Sequence, residues 1–189
     1  MKVSIFKSLF NIKETPFELS IQDVYNRIRL GNPELIKKVA TIRSLEKADP
    51  EHDRLKSSLN AIMFNGTFTE RNDSSLVEHS GLCILDFDQY PTKKLMMDER
   101  KRLIADPHVM MVFTSPSGNG LKAVIRIPKS DKVEHKRRFT AFGKYFDSEY
   151  FDTKNSNVSR VCFESYDPDI YFNEFCQVYE GIEQDQGFS

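Results

Sequence analysis

Apolar residues recur at helical spacing in the first part of the chain, then give way to short strands that alternate with helices. Ile21, Val24, Tyr25 and Ile28 fall on one stripe, with Ser20 placed to cap the helix and Gly31 to close it. Asn32-Pro33 reads as a second cap with proline in the first turn, and Ile36, Val39, Ala40 and Arg43 share a face of the helix that follows. Pro50 opens a third, short helix reaching about Leu59. The period then shortens. Residues 61–64 are aromatic or aliphatic, Asn65-Gly66 marks a turn before Thr67-Phe68-Thr69, and 70–75 form a polar loop. From Gly81 onward the pattern predicts a strand over 82–87, a charged helix over 92–105 and a buried strand over 109–114. A half-exposed strand follows over 121–127, then a helix begun by Asp131 with Phe139, Phe142 and Phe146 on one face. Further strands are expected at 158–163 and 169–172. The opening MKVSIFKSLFNIKE is interrupted by Lys7 and Asn11, which suits a first strand better than a signal-peptide core.

This succession predicts an α+β fold with a split βαβ sheet. Residues 1–60 are expected to form a mostly helical N-terminal extension, 61–180 the core, and 181–189 a tail or linker. Composition agrees: 39% hydrophobic and 29% charged residues over 189 positions describe a globular domain, and no apolar run is long enough to span a membrane. Cys83, Cys162 and Cys176 are odd in number and widely spaced, which argues against a disulfide framework or a zinc site and fits a reducing cytosol. The net charge of −1 carries no global nucleic-acid signal. Residues 122–160 are locally basic, however, with ten Lys and Arg against five Asp and Glu. A phosphate-facing surface and a solvated helix face both account for that excess.

Three segments carry chemistry. The apolar run 82–85 ends in Asp86-Phe87-Asp88, and strand alternation points both carboxylates the same way. Paired carboxylates repel unless a cation or hydrogen bonds neutralise them, and a hard divalent ion with oxygen ligands does so. The alternative is that one Asp caps a turn and the other is solvated. The second segment is SPSGNGLKAVIRI. Gly118 and Gly120 permit a tight turn and close backbone approach, Ser115 and Ser117 carry hydroxyls that can donate to phosphate, and Lys122 opens the next strand. It is not a Walker A loop, and an ordinary hairpin with a surface lysine is the competing reading. In the third segment, FDTKNSNVSRVCFESYDPDIYF, Asp152 precedes a strand expected to carry Arg160. The acid is suited to a third metal ligand and the arginine to a bidentate phosphate contact. Asp152 as a helix terminator and Arg160 paired with Glu164 or Asp152 are the alternatives.

In this order the three segments resemble the archaeo-eukaryotic primase (primase-polymerase) superfamily, and more narrowly the BT4734-like or "VirE N-terminal" domain of Bacteroidetes genomes, phages and mobile elements. The resemblance covers roughly 64–172, including the approach NGTFTERNDSSLVEHSGLCILDFD. It implies a primase-polymerase core with an RRM-like sheet. It further implies Mg²⁺ or Mn²⁺ bound by Asp86, Asp88 and Asp152, and a dNTP or NTP held by Ser115, Ser117, Gly118, Gly120, Lys122 and Arg160. Arg126, Lys129, Lys136, Arg137 and Arg138 would track a DNA template. The implied reaction is nucleotidyl transfer, with a replicative helicase as partner in cis or in trans. One departure stands out: the family pattern usually has histidine where this chain has Lys122. A DNA- or nucleotide-binding module without catalysis is therefore the second reading. A metal-dependent nuclease or HUH-type initiator is a third and weak one, since His52, His79, His108 and His135 are isolated in sequence.

Overall fold

A computed structural model describes residues 1–10 and 15–181, so the expected tail lies outside the described residues beyond Gly181. The elements run β1 (Lys2–Phe6), β2 (Phe17–Ser20), α1 (Ile21–Leu30), α2 (Pro33–Ser44), α3 (Pro50–Ser57), β3 (Ala61–Met63), β4 (Gly66–Phe68) and β5 (Leu76–His79). They continue with β6 (Leu82–Phe87), α4 (Lys93–Ala105), β7 (Val109–Thr114), β8 (Leu121–Arg126), α5 (Lys132–Phe146), β9 (Cys162–Phe163) and β10 (Tyr171–Phe172). The fold is α+β.

Local chemistry explains most helix starts. Ser20 Oγ accepts the Asp23 amide, Asn32 Oδ1 accepts the Leu35 amide ahead of Pro33, and Asp131 accepts from Val133 and Glu134. The buried face of α2 is Leu35, Val39 and Ile42, rotated from the stripe expected through Ile36 and Arg43. The rotation follows from the cluster that α2 must meet, namely Leu59, Leu55, Phe163 and Tyr166.

Two four-stranded sheets organise the core, in the orders β2-β1-β3-β9 and β10-β7-β8-β6. The N-terminal segment is therefore not only helical: β1 pairs with both β2 and β3 and binds the first residues into the first sheet. In the second sheet β6 and β7 each run antiparallel to β8. They are thus parallel to one another with β8 inserted between them and α4 as the crossover, a split βαβ unit. The turn at Asn65-Gly66 does not fold β4 back onto β3; β4 pairs with β5, a short strand that directly follows the polar loop.

The second sheet is covered on both faces, and strand alternation sorts its residues. Cys83, Leu85 and Phe87 of β6 join Leu103 of α4 and Phe139, Phe142 and Phe146 of α5 in one cluster. Leu82 and Ile84 join Val3, Ile5, Ile62 and Phe64 of the first sheet, together with Val24 and Ile28 of α1. Residues 86 and 88 continue the second series, so their side chains fall where the end of one sheet meets the other.

Candidate functional site

The site is a row of residues in cross-strand register. Asp86 of β6 lies directly opposite Lys122 of β8, and Lys122 lies opposite Phe113 of β7. On its outer edge β6 is met by residues 150–152: Phe87 and Phe151 form a bridge, the Asp152 amide donates to the Asp86 carbonyl at 2.9 Å, and the Asp88 amide donates to Tyr150 at 2.8 Å. That bridge sets Asp152 beside Asp86 on the same face. Strand pairing, rather than proximity in sequence, thereby assembles the acid row.

The charges are closely interleaved. Lys122 Nζ lies 2.6 Å from Asp86 Oδ2, and Arg160 Nη2 lies 2.5 Å from the same oxygen and 3.3 Å from Asp152 Oδ2. These side chains are largely buried, at 14% exposed for Lys122, 13% for Asp86 and 5% for Arg160. Burial alone would push the Asp86 carboxyl up, but the Lys122 ammonium and the Arg160 guanidinium overrule it and hold it below the ordinary carboxylate range. Asp88 goes the other way: burial, reinforced by the neighbouring Asp86 and Asp152 carboxylates, raises its pKa despite Lys122 and Lys56. Burial works against the Lys122 charge too, yet Asp86 keeps its pKa raised, so this lysine is a permanent cation.

Arg160 does not lie in a strand. A turn closed by its amide on the Asn157 carbonyl, with the Ser159 amide held by Asp73, delays β9 to Cys162–Phe163. From that turn the guanidinium donates to the carbonyls of Lys154 and Asn155 as well as to the carboxylates, and it stacks over Phe139 at 5.6 Å. Glu164 is engaged elsewhere, by Arg27 and Asn60.

The segment 115–120 closes on itself. The Ser115 amide donates to Gly120 and the Gly118 amide to Ser115, both at 2.9 Å. Gly118 has φ +79°, and Gly120 is required by a neighbour: a Cβ there would lie 2.0 Å from Asp88 Oδ1. The close approach expected at this glycine is thus made by the Asp88 carboxylate. Ser117 and Ser115 differ. His52 Nδ1 lies 3.0 Å from Asp53 Oδ1, and its Nε2 shares a hydrogen bond with the Ser117 hydroxyl at 3.1 Å. Ser115 Oγ is buried with no partner.

Part of this set lines a cavity of about 260 Å³, namely Asp86, Asp88, Ser115, Ser117, Lys122 and, unforeseen in the sequence, Lys56, whereas Asp152, Arg160, Gly118 and Gly120 stand behind its lining. Val161, Cys162 and Phe163 supply the opposite wall from β9. Among the described residues no three His, Cys, Asp or Glu side chains converge as a ready cation site, so the expected Asp86, Asp88 and Asp152 trio is not assembled as one; Lys122 and Arg160 pair with Asp86 Oδ2, and Arg160 also with Asp152. A hard divalent ion nevertheless suits the donors present. Asp86 Oδ1 is buried and has no hydrogen-bond partner, and the surroundings of Asp88 disfavour its charged form in the absence of a cation.

The chain matches the family model described as BT4734-like, N-terminal domain, over residues 54–172. It belongs to that family. No curated protein and no solved structure matches it. The BT4734-like match takes in the whole acid row, the glycine loop, Arg160 and Lys56, and leaves β1, β2, α1 and α2 outside it.

The expected DNA-tracking cations lie apart from this cavity. α5 packs on the opposite face of the second sheet, where Arg137 and Arg138 pair with Glu134, and Lys129 pairs with Glu78. Arg126 donates to the Cys176 carbonyl at the far end of β8. Lys136 and Arg137 line a larger groove of about 1020 Å³ along the outer flank of α5, together with Lys132, Lys144 and Tyr145. The loop that carries Arg160 reaches this groove through Ser156 and Asn157. His79 and His135, isolated in sequence, meet at 3.0 Å beneath α5, a pairing that no local signal could reveal.

Proposed function

We propose that this domain is a metal-dependent nucleotidyltransferase of the primase-polymerase type, extending DNA on a template within a phage or mobile-element replication protein. One observation carries the reading. A single cavity holds an orphaned carboxylate oxygen, which wants a cation, beside an orphaned hydroxyl and lysine ammonium groups, which suit an anion. A nucleoside triphosphate with its divalent ion brings both at once.

Asp86 and Asp88 would hold magnesium or manganese, with Asp152 as the third carboxylate. Such an ion, when bound, supplies Lewis-acid stabilisation of charge on the reacting phosphate. The chain's own residues do the rest. Arg160 fixes the Asp86 and Asp152 carboxylates, Lys122 gives a fixed positive charge facing the phosphates, and Ser115 donates its free hydroxyl. Because Lys122 stays protonated, it acts through charge and moves no proton. The basic flank of α5 would carry template backbone without sequence preference, as positively charged grooves do. A helicase acting beside this domain would complete the replication role.

A binding module without chemistry has one observation in its favour: the Lys122 ammonium already occupies Asp86 Oδ2. Primer extension on a DNA template with magnesium or manganese, testing dNTPs and NTPs, separates the two. Active protein is expected to lose at least about 100-fold in rate in the Asp86→Ala, Asp88→Ala double variant while keeping its DNA affinity. Wild-type protein that binds DNA and nucleotide yet neither extends nor initiates a strand makes the binding module the correct reading.

A further inference from the structure

His52 and Lys56 stand one turn apart on the side of α3 that meets the glycine loop. His52 is buried and engaged with Ser117, whereas the Lys56 side chain is half-buried and enters the cavity. Among the described residues the Lys56 ammonium has no hydrogen-bond acceptor and no carboxylate within ion-pair distance, although Asp86 and Asp88 line the same space. Its ammonium sits 5.8 Å from the centre of the Phe163 ring. Burial and the nearby Lys122 charge lower its pKa, and the more distant Asp88, Asp53 and Asp86 carboxylates offset that only in part. An anion entering the cavity would favour the protonated amine further. The other unpartnered donor in the lining, Ser115 Oγ, belongs to the loop across from it.

We infer that Lys56 is a phosphate-binding residue, the cation on the α3 wall that receives the terminal phosphates of a triphosphate, with His52 positioning the glycine loop opposite. This assignment rests on the nucleotide-binding part of the function proposed above. Lys47, also in the lining but exposed, stands at the mouth on the same side. The cavity is walled by α3, the loop, β9 and the end of β6, which favours a compact anion ending there over a nucleic-acid backbone passing through. Lys122 cannot serve alone, since Asp86 holds it at 2.6 Å.

The probe is inorganic tripolyphosphate with magnesium, titrated calorimetrically into the full chain. Wild type is expected to bind, Lys56→Gln to bind about tenfold or more weakly, and the exposed-helix control Lys94→Gln to match wild type. Lys56→Gln is also expected to melt no lower than wild type and to bind a single-stranded oligonucleotide normally. Undiminished tripolyphosphate binding by Lys56→Gln overturns the assignment, as do equal losses in Lys56→Gln and Lys94→Gln or absent binding in wild type. Loss of oligonucleotide binding with tripolyphosphate binding intact also overturns it, making Lys56 a backbone contact. The two readings fail separately. Wild type that binds tripolyphosphate but never extends a primer rejects nucleotidyl transfer and keeps Lys56, whereas extension by Lys56→Gln with an unchanged nucleotide KM rejects Lys56 and keeps the reaction.

Discussion

Strand β6 carries a polar cluster on each face, and the two differ in what they leave unsatisfied. Toward α5, the Gly81 amide donates to His79 Nδ1 at 3.0 Å, which makes Nε2 the protonated nitrogen and directs it to His135 Nδ1. His135 Nε2 then points at Cys83 Sγ, 4.0 Å away. Each imidazole nitrogen has a partner in this relay. Toward the first sheet, Asp86, Lys122, Arg160 and Asp152 also pair with one another, yet Asp86 Oδ1 and Ser115 Oγ remain without partners and Lys56 has no counter-ion. Buried polar groups that saturate one another hold a fold together, whereas leftover groups around a cavity call for a ligand. Residue type alone would have ranked the two clusters the other way, since histidines and a cysteine suggest chemistry more readily than an ion pair.

The comparison is broken most directly at Asp86. Replacing it by alanine leaves Lys122 and Arg160 facing each other without their shared carboxylate, and stability is expected to fall by about 3–5 kcal/mol. Urea unfolding measures this, and a loss below 1 kcal/mol would mean that the ion pairs are not structural. Next comes pH. Burial pushes His79 down to about 4 and, with the His79 charge adding to it, His135 down to about 3, against an ordinary value of 6.5. Between these limits the unfolded chain binds protons that the folded one refuses. Stability is therefore complete above pH 6.5 and falls as pH drops toward 4, at up to about 1.4 kcal/mol per pH unit for each imidazole. Melting temperatures across pH 4–8 test the slope, and His135→Gln should remove about half of it. The smallest effect sharpens the contrast within the acid pair. The surroundings of Asp88 disfavour its charged form, so Asp88→Asn is expected to stabilise the protein slightly at pH 8, by about 0.5 kcal/mol, opposite in sign to Asp86→Ala. A destabilised Asp88→Asn would show that Asp88 is held for the fold.

Much of this architecture was legible in sequence because its signals are local. Ser20, Asn32 and Asp131 cap the helices they announce, continuous apolar runs placed 82–87 and 109–114 in strands, and alternation placed 121–127, one residue longer than observed. Where the reading slipped, the deciding partner lay far along the chain. The α2 stripe turned to meet Leu59 and Phe163, Arg160 left the strand for a turn anchored by Asp73, and the unassigned residues after the polar loop form β5 by pairing with β4.

The same division runs through the site. The chain alone specifies a strand ending in two like-facing acids, a glycine loop ahead of a lysine, and a later acid and arginine, because alternation and turn chemistry act within a few residues. Only the fold sets Lys122 opposite Asp86, brings Asp152 in beside it through the 87–151 bridge, and admits Lys56 from α3 to the same cavity. Those decisions depend on register between strands and on packing between sheets. Their energies belong to pairs of residues dozens of positions apart, which no window on the sequence contains.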